Sequence, residues 1–338
     1  MSSDSVIRVH PHTTHPTQAW RKLRVHQKVE KVVPMDPSTP NLADHIRFVC
    51  LSDTHSSIEK GQIKIPDGDV LLHAGDFTNI GLPSEVKTFN EFLGTLPHKL
   101  KIIIAGNHDL SFDYDMVKNN RQHLSSFGWT KSLVEEKLAE YGISGVKELM
   151  TNCIYLQDSG VCVCGINIWG SPWQPAFCDW GFNLKRGQPL LDKWNLIPES
   201  TDILITHGPP IGHGDKCFDQ QNAGCVELLS TIQQRVHPKY HLFGHIHEDT
   251  FHHHGMEDID QNKDIPNLAD NSVKDLMLFL KGNLMSVMMW LRKAPFEPLL
   301  RASLPCLLYI TCFIVTLLMI SKVHVLLVDL NYLQYHID

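Results

Sequence analysis

Aspartate, asparagine and histidine recur in this chain directly after short apolar runs. The side chains that could bind a metal ion from such positions are Asp53, His55, Asp76, Asn107, His207, His245 and His247. Their mixture of carboxylate, amide and imidazole groups suits Mn, Fe, Zn or Ni better than Ca or Mg. They are too many ligands for one tetrahedral zinc ion. The set therefore predicts two adjacent divalent cations that share one carboxylate.

The residues before these side chains have the pattern of buried strands. Five short runs are rich in apolar residues, and each stops shortly before a candidate ligand: 46–51, 69–73, 101–105, 202–205 and 240–243. Runs of this length and composition are typical of strands that are buried on both faces. Because sites in open α/β sheets form outside the carboxyl ends of the strands, we expect the candidate ligands to meet in one crevice.

Helical stretches between some of these runs complete an α/β pattern. Three segments carry apolar residues at helical spacing: 84–96, 130–142 and 225–236. Strands that alternate with helices predict a largely parallel sheet core. We expect an antiparallel addition after it, with a strand at 154–156, a turn at 158–160 and a second strand at 161–169.

Composition argues against several classes of function. A net charge of −7 argues against binding of a nucleic-acid duplex, which would need a basic face. The nine cysteines include no CxxC pair, so we expect neither a zinc ribbon nor a thioredoxin-type motif. Their odd number suits a reducing compartment, and the polar N-terminus predicts no secretory signal peptide. We therefore expect a cytoplasmic catalytic domain.

Five sequence blocks resemble the calcineurin-like metallophosphoesterase superfamily. In chain order they are Asp53-x-His55, Gly75-Asp76, Gly106-Asn107-His108-Asp109, His207-Gly208 and Gly244-His245-x-His247. Segments such as 180–184 and 191–199 are similar to the animal metallophosphoesterase-domain-containing branch of fetal-brain type, which is UPF0046-like. The likeness covers about residues 10–248. It implies an α/β fold of layered mixed β-sheets flanked by helices.

The resemblance also implies a role for each residue. The ligands of one cation would be Asp53, His55, Asp76 and His247. The ligands of the other would be Asp76, Asn107, His207 and His245, with Asp76 bridging. His108 would approach the phosphate and either stabilise its charge or protonate the leaving oxygen, and Asp109 would orient the His108 imidazole. The cations would be Mn, Fe, Zn or Ni, with Mn favoured.

The expected activity is hydrolysis of phosphate esters by a hydroxide that bridges the two metal ions. The resemblance favours phosphodiesters, including cyclic nucleotides, so the expected partner is a small phosphate ester or nucleotide. Two other interpretations stay open: a scaffold that keeps the fold with little catalysis, and a membrane-anchored adaptor. The presence of His108 and His245 argues against the scaffold. The sequence leaves the oligomeric state open.

The chain divides into four predicted segments. They are an extended N-terminal arm at 1–45, the metallophosphoesterase domain at 46–248, a polar linker at 249–272 and an apolar, helical tail at 273–338. Residues 304–321 are uncharged, and a helix of about 20 apolar residues can cross a bilayer. Basic residues before this segment and acidic residues after it would keep the catalytic domain cytosolic. A single membrane span and an altered C-terminus that does not insert remain alternatives, whereas 276–291 is expected on a surface or in a core.

Several aromatic and histidine residues near the blocks allow more than one interpretation. Trp169, Trp173 and Trp180 either line a pocket or pack a loop. His73 lies inside a predicted strand and is expected to be a hydrogen-bonded core residue. The run at 252–254 is interpreted as solvated histidines rather than a metal site.

Overall fold

Helices and strands alternate through the part of the chain that the structure describes. The computed structural model describes residues 6–27, 39–40, 42, 45–60, 65–119, 124–125, 128–248, 285–292 and 324–328. The helices are α1 (Pro16–Leu23), α2 (Pro83–Thr95), α3 (Tyr114–Asn119), α4 (Lys131–Glu140), α5 (Gln188–Trp194) and α6 (Val226–Thr231). The strands are β1 (His45–Leu51), β2 (Val70–His73), β3 (Leu100–Ile103), β4 (Ile154–Tyr155), β5 (Ser159–Val163), β6 (Ile166–Ser171), β7 (Gln174–Pro175), β8 (Asn183–Leu184), β9 (Ile203–Thr206), β10 (Tyr240–Leu242), β11 (Met285–Arg292) and β12 (His324–Val328).

The strands form two main sheets. One has the order β12-β11-β1-β2-β3-β4, in which β1 to β4 run parallel and β11 is antiparallel to β1. The other has the order β10-β9-β6-β5, in which β10, β9 and β6 run parallel and β5 is antiparallel to β6. The predicted mixed α/β architecture is confirmed, with its parallel strands divided between two sheets.

The two sheets pack face to face over an apolar core. Alternate residues of a strand point to opposite faces, so Phe48 and Cys50 lie in the cluster between the sheets. Their neighbours Val49 and Leu51 lie in the cluster on the other face, under α2. On the outer face of the second sheet, Trp194 of α5 packs with residues of α6. Helices therefore cover both outer faces, which leaves the strand ends as the place for a site.

Two of the three predicted helices are confirmed near their predicted bounds, and the third is divided. Pro83 stands at the start of α2, where its missing N–H costs no hydrogen bond. At the start of α4 the Thr130 hydroxyl accepts a hydrogen bond of 3.2 Å from the Leu133 N–H. The helix predicted at 225–236 begins as α6 and continues as a π-helical stretch at Ile232–Val236.

The antiparallel addition is built differently from the prediction. Strand β4 lies parallel to β3 in the first sheet, while β5 and β6 form an antiparallel hairpin in the second. The hairpin turns at Cys164 and Gly165, with φ of 51° and 83°. The turn predicted at 158–160 is only partly present: Asp158 has a left-handed φ of 47°, but Ser159 and Gly160 already begin β5. This bend leads from β4 in the first sheet to β5 in the second and does not close a hairpin.

The N-terminal arm is not wholly extended. It contains α1, in which Ala19 is fully buried against Ile211, Val226 and Leu229. A helix this short gains most of its stability from tertiary packing. The prediction of an extended arm was wrong for this stretch, because the sequence shows little periodicity and does not reveal the distant partner on α6.

The C-terminal tail contributes two strands to the edge of the first sheet. Strand β11 lies beside β1, and β12 beside β11; part of the segment predicted at 276–291 is therefore paired in a sheet. The predicted linker at 249–272 and the predicted helix at 304–321 lie outside the described residues. None of the helices in the described ranges is long and apolar enough to cross a membrane.

Candidate metal centre

The predicted site residues follow the carboxyl ends of five strands. Strands β1, β2 and β3 of the first sheet and β9 and β10 of the second each end just before at least one of them. The structure brings all of them into one cluster: Asp53, His55, Asp76, Asn107, His108, Asp109, His207, His245 and His247. Because the two sheets pack face to face, their strand ends meet along a single edge of the sandwich.

The backbone bends sharply where these residues leave the strands. Asp53, His55, Asp76 and His245 have φ values of 55°, 41°, 56° and 75°. Left-handed backbone is uncommon outside glycine and costs about 1–3 kcal/mol unless the surroundings enforce it. Two hydrogen bonds of 2.9 Å help to do so, from Asp53 N–H to the Gly75 carbonyl and from His55 N–H to the Asp76 carbonyl.

One group of candidate ligands consists of the buried Asp76 and His207 and the half-buried His245, and we name it the inner half-site. Their ligand atoms lie within 4.8 Å of one another. His207 Nε2 lies 3.3 Å from Asp76 Oδ2 and 3.0 Å from Asn107 Oδ1. His207 Nδ1 donates to the Ala74 carbonyl at 2.8 Å, which fixes the ring with Nε2 towards Asp76.

A second group, Asp53, His55 and His247, is more open, and we name it the outer half-site. Its ligand atoms also lie within 4.8 Å of one another. His247 Nε2 lies 3.1 Å from Asp53 Oδ1, and the backbone N–H of His245 donates to the same oxygen at 3.0 Å. Asp76 adjoins this group too, since its Oδ2 is 3.9 Å from His55 Nε2.

His55 tests whether this cluster fits metal ions. Both of its ring nitrogens are buried, and neither has a hydrogen-bond partner. Buried polar atoms without a partner are rare and costly in folded proteins. A cation held with Asp53 and His247 would satisfy one of these nitrogens. The donor set therefore fits divalent cations that accept oxygen and nitrogen ligands.

The two histidines of the inner half-site, His207 and His245, have very different pKa values because Asp76 contacts His207. Burial lowers the pKa of His207, but the charge and hydrogen bond of Asp76 outweigh it and raise the pKa to about 9. Burial raises the pKa of Asp76, but the neighbouring His207 and His108 hold it well below its usual range. Burial lowers the pKa of His245 to about 3. Without cations, this half-site therefore keeps a proton on His207 that a cation would displace.

The outer half-site shows the same pairing of a carboxylate with a histidine. Burial opposes ionisation of Asp53, but the hydrogen bond and charge of His247 hold its pKa below the usual range. Burial lowers the pKa of His247, whereas its hydrogen bond to Asp53 raises it, and the net effect is a rise. Burial lowers the pKa of His55. His55 is therefore ready to bind a cation as a neutral ring.

Asp109 supports the backbone rather than the ring that was expected to depend on it. Its carboxylate accepts hydrogen bonds from the N–H groups of Gly106 (2.7 Å), Asp76 (2.8 Å) and Thr78 (2.9 Å). The ring of His108 instead hydrogen-bonds through Nδ1 to a backbone carbonyl. Burial and the charge of Asp76 raise the pKa of Asp109 to about 8. Asp109 therefore holds together the loops that carry Asp76 and His108.

His108 has a partner that the sequence did not reveal. Its Nδ1 lies 2.7 Å from the Asn79 carbonyl oxygen, and since a carbonyl only accepts, Nδ1 carries the proton. The ring also contacts His55, at a centroid distance of 4.5 Å, and Trp180, at 3.7 Å. A backbone carbonyl has no sequence signature, so the contact with Asn79 could not be found beforehand.

The other uncertain aromatic and histidine residues lie away from the candidate ligands or support them. Trp173 Nε1 donates a hydrogen bond of 2.8 Å to Asp158 Oδ2. Trp169 packs against the apolar cluster on the outer face of the second sheet. His73 lies 3.0 Å from the Thr54 hydroxyl and accepts from the Gly75 N–H at 3.2 Å, as expected for a core histidine. Residues 252–254 lie outside the described part of the chain.

Comparison with known proteins gives a consistent family. Residues 46–249 match the family described as Calcineurin-like phosphoesterase. The chain is 51% identical over 254 residues to Metallophosphoesterase domain-containing protein 1 of Homo sapiens. This match covers 72% of the present chain and 75% of the human protein. The chain is 46% identical over 245 residues to UPF0046 protein T07D4.2 of Caenorhabditis elegans, covering 72% and 61%. A more distant relative, 22% identical over 192 residues (54% and 58%), is named 3′,5′-cyclic-nucleotide phosphodiesterase alr5338 of Nostoc sp..

The matched region contains the whole cluster of candidate ligands. It runs from β1 past the last candidate ligand, His247, and includes the five strand ends described above. The similarity to the human and nematode proteins extends over the greater part of the chain. The chain therefore belongs to the calcineurin-like phosphoesterase family, in the branch of the metallophosphoesterase domain-containing and UPF0046 proteins.

Proposed function

We propose that this protein hydrolyses phosphodiesters at a centre of two divalent cations held by the inner and outer half-sites. The observation that carries the proposal is the overlap of three groups of candidate ligands. Within each group the ligand atoms lie within 4.8 Å of one another. Asp76 and His55 each belong to two of these groups, so the half-sites share a boundary rather than standing apart. When bound, two such cations supply an activated water as the nucleophile and offset negative charge on the phosphate.

In this proposal Asp76 is the carboxylate common to both cations. It contacts His207 of the inner half-site at 3.3 Å and approaches His55 of the outer half-site at 3.9 Å through the same oxygen, Oδ2. Its other oxygen, Oδ1, accepts a hydrogen bond of 2.7 Å from the backbone N–H of His108. Asn107 supports the assignment of an amide ligand to the inner half-site, since its Oδ1 is 3.0 Å from His207 Nε2.

His108 is the proposed group that acts on the phosphate ester. With Nδ1 bonded to the Asn79 carbonyl, Nε2 is the nitrogen left for chemistry. Burial lowers the pKa of His108 to about 3 in the protein alone. A phosphate ester beside the ring would raise that pKa through its negative charge. His108 could then donate its Nε2 proton to a phosphate oxygen, or to the leaving oxygen as the bond from phosphorus to that oxygen breaks.

The substrate class is proposed from chemistry and from one distant relative. The printed name of the Nostoc protein, a 3′,5′-cyclic-nucleotide phosphodiesterase, favours diesters and includes cyclic nucleotides among the candidates. The net charge of −7 favours small substrates over nucleic-acid duplexes. The proposed cations are Mn, Fe, Zn or Ni, because the ligand set mixes oxygen and nitrogen, and Mn is the first to test. The proposed catalytic domain is 46–248; the membrane anchor at 304–321 stays a prediction.

The test is hydrolysis after removal and return of metal ions. The full chain is stripped with a chelator, reloaded separately with Mn, Fe, Zn or Ni, and assayed on chromogenic phosphodiesters, phosphomonoesters and cyclic nucleotides. We expect turnover only after reloading, with diesters preferred. His108→Ala should keep its metal content and lower kcat by about 10²–10⁴-fold, which is the usual contribution of a general acid.

The controls separate catalysis from folding. Asp76→Ala should lose metal and turnover together, whereas Asp192→Asn, an exposed carboxylate on α5, should behave as wild type. Metal binding without turnover on any ester would favour the scaffold interpretation. Full activity in both His108→Ala and Asp76→Ala would contradict the proposed mechanism.

A further inference from the structure

Trp180 lies against the ring of His108, in a loop far from it along the chain. The ring centroids are 3.7 Å apart, with an interplanar angle of 35°. Trp180 is only 3% exposed, and its other apolar neighbours include Leu110, Trp129 and Val134. The indole is therefore held firmly from its own side and presents part of its surface to the imidazole.

Backbone hydrogen bonds tie the Trp180 loop to the loop of His108. The N–H of Gly181 donates to the Asn107 carbonyl at 3.1 Å, which joins the residue after Trp180 to the residue before His108. The N–H of Phe182 donates to Asp113 Oδ2 at 2.6 Å. These bonds join the two residues after Trp180 to residues on either side of His108, so they restrict the spacing between the indole and the imidazole.

A second anchor comes from β7. The Gln174 side chain donates through Nε2 to the Gly181 carbonyl at 2.7 Å, and its backbone N–H donates to the Phe182 carbonyl at 3.2 Å. Phe182 has a φ of 55°, a left-handed conformation that these bonds stabilise. Cys178 and Asp179, just before Trp180, also have left-handed φ values of 49° and 55°. The loop that carries Trp180 therefore combines several hydrogen bonds with three residues in an unfavourable backbone conformation.

The imidazole is thus restrained in two independent ways. The hydrogen bond from Nδ1 to the Asn79 carbonyl, 2.7 Å long, selects one of the two ring flips. The indole then limits rotation of the ring out of that position, which one hydrogen bond alone would not prevent. Misplacement of a catalytic group by about 1 Å can slow a reaction by about 10²-fold.

We infer that Trp180 is a positioning residue for His108, which with the Asn79 carbonyl holds the imidazole in the one orientation that leaves Nε2 to the phosphate ester. The inference rests on the proposed function, because it concerns the same ester and the same histidine. It goes further in assigning a role in the reaction to a tryptophan that is not among the candidate metal ligands.

The first test compares esters that differ in their need for a proton donor. Phosphodiesters with a 4-nitrophenol leaving group need little help, whereas those with phenol need more, and the ratio of their kcat values reports on His108. Trp180→Leu should lower kcat for the phenyl ester by about 10-fold and for the nitrophenyl ester by less than about 3-fold, with KM unchanged. Trp180→Phe, which keeps a ring in place, should restore most of the loss.

Trp173→Leu is the matched control. Trp173 belongs to the same segment of chain but contacts Phe182 and Asp158 rather than His108. The Trp173 indole is partly buried, so Trp173→Leu should also cost packing, but it should leave the ratio of the two esters unchanged. If Trp180→Leu and Trp173→Leu lower both esters equally, Trp180 serves packing alone and the inference is overturned.

A second measurement does not depend on turnover. In protein labelled with ¹⁵N-histidine, the His108 signals are identified by their loss in His108→Ala. Wild type should show a single Nδ1–H tautomer for this ring, and Trp180→Leu an exchange-averaged mixture. A single unchanged tautomer in Trp180→Leu would overturn the inference, whether or not the wild type is active. Absence of turnover with an altered tautomer would contradict the proposed function and leave the positioning intact.

Discussion

The two half-sites of the candidate metal centre differ in how completely the protein satisfies them. In the inner half-site both ring nitrogens of His207 have protein partners, and the residue is 0% exposed. In the outer half-site both ring nitrogens of His55 lack a hydrogen-bond partner, and the side chain of His247 is 21% exposed. The histidine of the inner half-site is therefore held by protein contacts before a cation binds, whereas the outer half-site has polar atoms that a cation would satisfy.

This difference predicts different behaviour towards cations. A cation in the inner half-site would have to displace a shared proton, but it would then be buried and slow to leave. A cation in the outer half-site would also displace a proton, the one that His247 shares with Asp53. It would, however, meet a neutral His55 and a more accessible His247, so it would enter and leave faster. Asp76 lies where the two halves meet, so changes at this residue should not be confined to one of them.

The largest expected effect comes from Asp76→Asn compared with Asp53→Asn. The first change should empty both half-sites and lower turnover by at least about 10³-fold, because it removes the carboxylate they share. The second should empty only the outer half-site. Metal content measured by mass spectrometry after gel filtration distinguishes them, with Asp192→Asn as the control. Two bound metal ions in Asp76→Asn would show that the half-sites are independent.

The next effect separates the halves by their rate of metal loss. Under a chelator, wild type should release metal in a fast and a slow phase. His247→Ala should reduce the amplitude of the fast phase, and His245→Ala that of the slow phase. Each change should lower the affinity of its half-site for metal by at least about 100-fold, because loss of a ligand costs more than loss of a residue that orients a ligand. Stopped-flow measurement with a metal indicator follows both phases. A single phase in wild type would contradict the distinction between inner and outer half-sites.

Local patterns predicted the strands and the clustering of the candidate ligands at their ends, because each signal lies in a few adjacent residues. The apolar run before Asp53 and the Asp-x-His spacing after it are visible without any distant contact. The same is true of the strands before Asn107 and His207. That all five strand ends would meet also followed from a general rule for open sheets, although the division into two sheets did not.

Features that depend on distant contacts could not be predicted. Helix α1 is stabilised by packing on α6, and the sequence of the arm contains no sign of that partner. The contact between Trp180 and His108 joins two loops that are far apart in the chain. The role of Asp109 was misjudged for a related reason: an aspartate beside a histidine suggests a bond to its ring, but backbone N–H groups of neighbouring loops compete for the carboxylate.

A smaller effect tests how tightly the inner half-site is packed. A Cβ on Gly106 would lie 2.5 Å from both the backbone nitrogen of Asp76 and His207 Cε1. Gly106→Ala should therefore lower the free energy of unfolding by about 3 kcal/mol, the cost of overpacking a rigid region. Gly145→Ala, where a Cβ would meet nothing within 4 Å, should change it by less than about 0.5 kcal/mol. Urea unfolding gives both values; equal effects would mean that the inner half-site is not rigid.

The smallest expected effect is the pH dependence of the cation-free inner half-site. Although burial lowers the pKa of His207, contact with Asp76 raises it from 6.5 to about 9. A histidine whose pKa rises on folding stabilises the folded state below its unfolded pKa and loses that contribution as pH rises through the folded value. Relative to His207→Gln, cation-free wild type should lose about 2–3 kcal/mol of unfolding free energy between pH 6.5 and 9. Cation-loaded protein should lose less, since the cation replaces the proton; an equal loss in both would mean that His207 is not a ligand.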